Sequence, residues 1–308
     1  QPSEFSKFST ALLLAKAFDS YSIDLRNFKH IFLTSLVFLL PSSIILIQGD
    51  AGTALVYFAF FLVFLREGLS LKFLILAFSF IIIFVLGLLL ETYILYILIV
   101  IIFLIVVGLS IKDFKKIINS IIYLTLAFLI VNGQDFVLNN VLTPKQKQRV
   151  ETLINPSSDP LGSGWNITQS KIAIGSGGVF GKGFLKGTQT GLNFVPIQST
   201  DFIFSVIGEE FGYFGSMIFL ILYIIFLFRI LILSENQKDK FARVFGYSTF
   251  SVFLFHFTVN VSMTLGLFPV VGIPLSLISY GGSSLLSFSL LLFVFLKLDS
   301  VRPSILAR

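Results

Sequence analysis

Between Phe73 and Leu109 the chain carries a single charged residue, Glu91. A soluble domain cannot hide an apolar run of that length, whereas roughly 20 apolar residues in a helix cross a hydrocarbon core of about 30 Å. The rest of the sequence repeats the pattern. Of its residues 56% are hydrophobic and 12% charged, about half the charge of a soluble domain. The runs are continuous rather than alternating, which argues against a β-barrel. The expectation is an all-α, polytopic helical membrane protein. With no Cys in 308 residues, neither disulfides nor thiolate chemistry is available.

Nine spans are expected, at about 5–19, 30–47, 52–65, 70–90, 93–109, 117–133, 204–231, 245–266 and 282–297. Lys and Arg orient them. One set of connections carries Arg26 and Lys29, then Arg66 and Lys72, then Lys112, Lys115 and Lys116. Arg229, Lys238, Lys240 and Arg243 follow, then Lys297, Arg302 and Arg308. The short turns at Asp50 and Glu91 have none. The first set is expected in the cytoplasm with the C-terminus, and Gln1 and the segment 134–203 outside. An external start implies an odd number of spans upstream of Gln1. The net charge of +6 falls at the ends of apolar runs rather than in one basic patch, so no nucleic-acid partner is expected.

The expected division is 1–133, the first transmembrane helices; 134–203, a long extracellular loop for catalysis and anion binding; and 204–308, the last transmembrane helices with a re-entrant hairpin at 267–284. Residues 134–165 are polar, with the basic run Lys145 to Arg149 and a turn from Asn155 to Pro160. They read either as a solvated amphipathic segment or as a basic face for anionic lipid or a diphosphate. From Ile172 to Gly212 the chain reads IAIGSGGVFGKGFLKGTQTGLNFVPIQSTDFIFSVIGEEFG. Glycines lower the steric cost of bringing backbone N–H groups to an anion, and Lys171, Lys182 and Lys186 add point charge. A phosphate-bearing ligand fits that pattern. So does a flexible re-entrant loop that needs glycine for its turns. A dinucleotide loop does not fit, since no strand precedes it.

Asp201 stands where the chain re-enters the membrane, as a helix cap or as a functional carboxylate. On a regular helix Glu209 would be turned about 80° from it and Glu210 about 180°, so Glu209 is expected to share its cavity. An acidic group at depth costs roughly 2.5–3.5 kcal/mol, so both need a partner or a cavity. A second polar segment, Met263 to Ser284, holds Pro269, Pro274 and four glycines but no charge. It is expected to re-enter the membrane and close over the Asp201 cavity. Its tip, Ser279 to Ser284, offers hydroxyls and N–H groups. His256, mid-span, is expected to pack rather than to bind metal.

Four blocks then resemble one family, the SEDS membrane proteins (RodA, FtsW and their sporulation relatives). They are Gln1-Pro2-Ser3-Glu4-Phe5-Ser6-Lys7, the turn Gly49 to Ala54, the stretch 172–212 and Gly266 to Ser284. The wording from Asp159 to Gly162, Lys171 to Gly175 and Gly181 to Gln189 is similar to the elongation-type branch. Where the family commonly has Pro-Glu-x-His-Thr-Asp, this chain has Pro196-Ile197-Gln198-Ser199-Thr200-Asp201. The Glu and His are missing and the Asp is kept. Ser276 replaces a common proline, 70–90 and 93–109 add a hairpin, and the family begins about three spans earlier, an odd number as the topology requires.

The resemblance implies a peptidoglycan glycosyltransferase of the bacterial cytoplasmic (inner) membrane that polymerises lipid II during cell elongation. It implies Asp201 as general base in an inverting transfer. Lys171, Lys182, Lys186, Gln189, Thr200, Glu209, Glu210, Ser279, Tyr280 and Ser283 are the residues expected to bind substrate. The candidate cofactor is a divalent cation, magnesium or manganese, with no organic cofactor. The implied partners are lipid II, membrane lipid and a class B penicillin-binding protein. A lipid II flippase, or a non-catalytic membrane partner of a transpeptidase, is the alternative.

Overall fold

A computed structural model describes residues 1–20, 23–109, 114–155, 157, 159, 162–192 and 194–306. Lys112, Arg308 and, within the 155–160 turn, Pro156, Ser158 and Pro160 lie outside the described residues, as does Leu161. The helices are α1 Pro2–Ser20, α2 Phe28–Ile47, α3 Ala51–Val56, α4 Phe61–Arg66, α5 Leu71–Leu89, α6 Thr92–Leu109 and α7 Phe114–Phe136. They continue with α8 Pro144–Ile154, α9 Ser163–Ser176, α10 Ile203–Glu235, α11 Lys240–Thr264 and α12 Gly282–Leu306. The chain is a multi-pass, all-α membrane protein.

Six of these helices, α2, α6, α7, α10, α11 and α12, are long and apolar enough to span. Two other expected spans fall short for separate reasons. α1 carries Glu4, Lys7, Lys16 and Asp19. Ala51–Arg66 is a shorter apolar helix, tightened to a 3₁₀ turn at Tyr57–Phe60. The span expected at 70–90 is the 19-residue apolar helix α5. The segment 134–203 is not simply a loop. It contains α8, which starts on a capping box of Thr143 with Gln146, and α9. Residues Ile172 to Ser176, expected at the head of a glycine-rich loop, are helical.

Residues 70–158 form one compact unit and residues 1–69 with 159–308 the other. In the smaller unit α7 packs on α5 and α6. Gln134 lies over Gly87 and donates to the Phe84 carbonyl, and Tyr96 donates to Asn132 while stacking on Phe128 at 5.0 Å. The additional hairpin is therefore bound to α7 by polar and aromatic contacts.

The larger unit is built around α11, whose most apolar window is 72% buried against 11–28% in the other five spans. It packs on α1, α10 and α12. Helices in lipid associate by van der Waals fit rather than by expelling water, and aromatic rings supply it here. Tyr223 stacks on Phe257 at 4.4 Å, and Phe253 meets both Phe226 and Phe288. Gly246 allows a close approach; a Cβ there would lie 2.3 Å from Ser234 and 2.4 Å from Phe295. Ser248, Thr249 and Ser251 donate to carbonyls four residues back, so their hydroxyls are satisfied within the helix.

Deep in this unit Lys7 and Glu4 form an ion pair, 0% and 3% exposed. Lys7 Nζ donates to both Glu4 oxygens at 2.9 and 2.8 Å and to His256 Nε2 at 3.0 Å. All three ammonium hydrogens are thereby used. His256 Nδ1 lies 2.9 Å from the Pro274 carbonyl, which can only accept. The proton therefore sits on Nδ1, and Nε2 offers its lone pair to Lys7. His256 packs edge-on against Phe288 as well, and ties α1 and α11 to the hairpin that follows.

Candidate active site

The glycine-rich segment is organised by a break in α10. At Gly212 the backbone turns to φ 65°, ψ −162°. An unbroken helix would pair the Tyr213 and Phe214 N–H groups with the Glu209 and Glu210 carbonyls. The break frees all four backbone groups, and each needs another partner. The loop after α9 supplies all of them. Lys182 N–H donates to Glu209 O and Gly183 N–H to Glu210 O, while Tyr213 N–H donates to Gly178 O and Phe214 N–H to Val179 O, at 2.9–3.1 Å. That exchange requires backbone against backbone. A Cβ on Gly177 or Gly181 would lie 2.1 Å from the Gly208 or Glu210 carbonyl oxygen. These glycines serve close packing.

The loop does cradle an anion, and the anion is Glu209. Its fully buried carboxylate accepts from the N–H groups of Thr188, Gln189 and Thr190, each at 2.8 Å, from Thr190 Oγ1 at 2.7 Å and from Lys182 Nζ at 2.7 Å. Lys182 also reaches Thr188 Oγ1. Glu209 therefore turns toward residues 182–190, and the helical angle expected between it and Asp201 does not apply. Asp201 lies just before α10, whose cap residue is Phe202.

Asp201 is held from the other side. Asn260 Nδ2, one turn after His256 on α11, donates to both the Asp201 carbonyl and the Ile273 carbonyl at 2.8 Å. Ser279 Oγ donates to Thr200 O and accepts from Leu275 N–H, and Tyr280 N–H donates to Ser199 O at 2.8 Å. Gly272, at φ 76°, faces the carboxylate; a Cβ there would lie 3.5 Å from Asp201 Oδ2. The hairpin at 267–284 and the Asp201 segment are thus one hydrogen-bonded body. Gly52 supports it from α3, where a Cβ would collide with Val271 O.

Around this body Thr200, Asp201 and Ser283 are half-buried, Tyr280 is exposed and Ser279 is buried. Lys171 is exposed on α9 beside Gly266, and Lys186 is exposed on the loop. Gln189 contributes its backbone to Glu209, and Glu210 is buried. Among the described residues no three His, Asp or Glu side chains gather to hold a metal ion, so no preformed cation site is found there.

Sequence reasoning overlooked Asn260, although an Asn and a His four residues apart on one face of an apolar span are the rare polar groups that mark function. Replacing Asn260 with Leu keeps the shape and leaves two buried carbonyls unpaired, at about 1–3 kcal/mol each. The expected result is a clearly lower melting temperature of the purified protein. An unchanged melting curve would show that Asn260 does not hold the two segments together.

The model of the FtsW/RodA/SpoVE family, described as cell cycle proteins, matches residues 1–95 and 66–302. The chain is 37% identical to the peptidoglycan glycosyltransferase RodA of Treponema pallidum, over 92% of this chain and 71% of that one. It is 50% identical to the peptidoglycan glycosyltransferase MrdB of Escherichia coli over 46% of this chain and 38% of that one. A solved structure described as "Structural coordination of polymerization and crosslinking by a peptidoglycan synthase complex" superposes with a TM-score of 0.65. It has 26% identity over 98% of this chain and 70% of that one. This chain belongs to the FtsW/RodA/SpoVE family.

Proposed function

We propose, on the premise of that membership, that the chain is a peptidoglycan glycosyltransferase that polymerises lipid II in cell elongation, with Asp201 as general base. The observation that carries the reading is the way two polar segments grip Asp201. Its backbone is fixed through Asn260, Thr200 and Ser199, and Gly272 leaves room at its carboxylate. Catalytic bases need that kind of positioning. The acceptor's sugar hydroxyl gives its proton to Asp201 while its oxygen attacks the donor's anomeric carbon. The bond to the diphosphate oxygen breaks with inversion, and undecaprenyl diphosphate leaves with the electron pair.

Lys171 and Lys186, both exposed, are the cations assigned to the departing diphosphate. Lys182 is drawn into Glu209 and acts by holding the loop. Magnesium or manganese would need phosphate oxygens of the substrate as ligands beside Asp201, and no step is assigned to it. The active face is assigned to the outside of the bacterial inner membrane and the C-terminus to the cytoplasm, on the positive-inside rule. A class B penicillin-binding protein is the proposed partner. The flippase alternative has little support, because Glu4, Lys7 and His256 satisfy one another and leave no open polar route among them.

The test is incubation of the purified full-length protein with lipid II, with glycan strands resolved by gel. Strand formation is expected. Transbilayer movement of lipid II in vesicles without any strand formation would overturn the reading.

A further inference from the structure

We propose that the loop from Phe180 to Ile197 is a lipid-anchored element, its apolar side chains seated in the phospholipid interface beside α10. This does not depend on the transferase reading.

The first observation is depth. From Tyr213 to Arg229, the first basic residue on the cytoplasmic side, the helix runs about 17 residues or roughly 25 Å, most of a core of about 30 Å. The break at Gly212 therefore lies within about a turn of the outer membrane boundary. The loop is hydrogen-bonded to residues 209–214 on both sides of that break, which holds it at the same level.

The second observation is continuity. Phe180 stacks on Phe214 at 5.6 Å and 16°, and Phe184 rests against Phe211 at 6.3 Å. Phe214, on the span, is itself 55% exposed and Phe180 82%. The loop thus extends the lipid-facing surface of α10 rather than starting a new one. Phe184, Leu185 and Leu192 are 69%, 78% and 68% exposed. On a surface facing water such a patch would be a liability, whereas at the interface aromatic and aliphatic chains are stabilised. Lys186, exposed among them, can extend its ammonium to phosphate head groups.

The third observation is backbone strain. Leu185 has φ 57° and Ile197 φ 55°, a region that costs a residue with Cβ roughly 1–2 kcal/mol and glycine nothing. In a segment rich in glycine, two strained positions carry large exposed side chains. Leu185 and Ile197 thus keep large apolar side chains at the surface, 78% and 57% exposed, at positions where glycine would be unstrained, and contact with lipid would offset part of that strain.

The test uses the absence of cysteine from this chain. Nitroxide labels are placed at Phe184→Cys and at Leu185→Cys, with Lys238→Cys, exposed in the polar turn between α10 and α11, as the control. The full-length protein is reconstituted into phospholipid vesicles free of polyprenyl lipid. The labels at 184 and 185 are expected to collide with oxygen several-fold more often, relative to a water-soluble nickel chelate, than the control does. Nickel accessibility equal to the control would overturn the proposal. So would labels shielded from both agents, because protein would then cover this face. Oxygen preference that arises only after a polyprenyl diphosphate is added would also overturn it, because the surface would belong to that ligand.

Discussion

Asp201→Asn is expected to lower the rate of lipid II polymerisation by roughly 10²–10⁴-fold, the usual contribution of a positioned general base. Asn matches Asp in shape but cannot take the acceptor's proton. Three attachments of the segment run through the backbone of Ser199, Thr200 and Asp201, and the substitution leaves these in place and keeps the side chain's shape. The variant should therefore melt close to wild type, and the loss should appear in kcat with KM for lipid II little changed. Wild-type kcat in Asp201→Asn would remove Asp201 from the base role. A matching collapse of the melting temperature would make it a structural residue.

Loss of Glu209 is expected to give the largest structural effect. Its carboxylate alone receives three backbone N–H groups, a threonine hydroxyl and the Lys182 ammonium. Glu209→Ala leaves the three N–H groups and the Thr190 hydroxyl without this acceptor, and Lys182 with Thr188 Oγ1 but no counter-charge. Breaking a buried pair by removing one partner costs about 3–5 kcal/mol, and 3 kcal/mol alone corresponds to roughly 10²-fold in an opening equilibrium. Amide exchange at Thr188, Gln189 and Thr190 should accelerate by at least about that factor. Glu209→Gln keeps the volume, but its NH₂ must face N–H donors, so it should rescue only part of the protection. Unchanged exchange in Glu209→Ala would mean that the loop is ordered by other contacts. The two variants also separate two roles. Asp201→Asn should silence polymerisation with loop protection intact, whereas Glu209→Ala should lose both.

Much of the fold could be read from local pattern. Runs such as Thr92–Leu109 have one physical solution, a helix in lipid with its backbone groups paired internally. The hairpin from Leu267 to Ser284 was legible from Pro269, Pro274 and its glycines in an uncharged stretch. Its return onto the Asp201 segment was also expected. Less legible was α1. A charged helix of that length reads as a weak span by composition, and only packing explains it, since Lys7 is satisfied by Glu4 and His256 at sequence separations of 3 and 249.

The sequence by itself determined the membrane class, the two polar segments and the candidacy of Asp201. Each follows from which residues stand next to each other and from the cost of polar groups in hydrocarbon. Tertiary structure decided what those residues do to one another. The glycines and lysines at 177–190 are a sound anion-binding pattern, but a pattern names no anion. The break at Gly212 turned Glu209 into the loop and filled it. The backbone at Thr200 and Asp201 was bound to the hairpin and to Asn260. Those outcomes depend on hydrogen bonds between segments roughly 20 to 80 residues apart, where chain order carries no information about which donor will meet which acceptor.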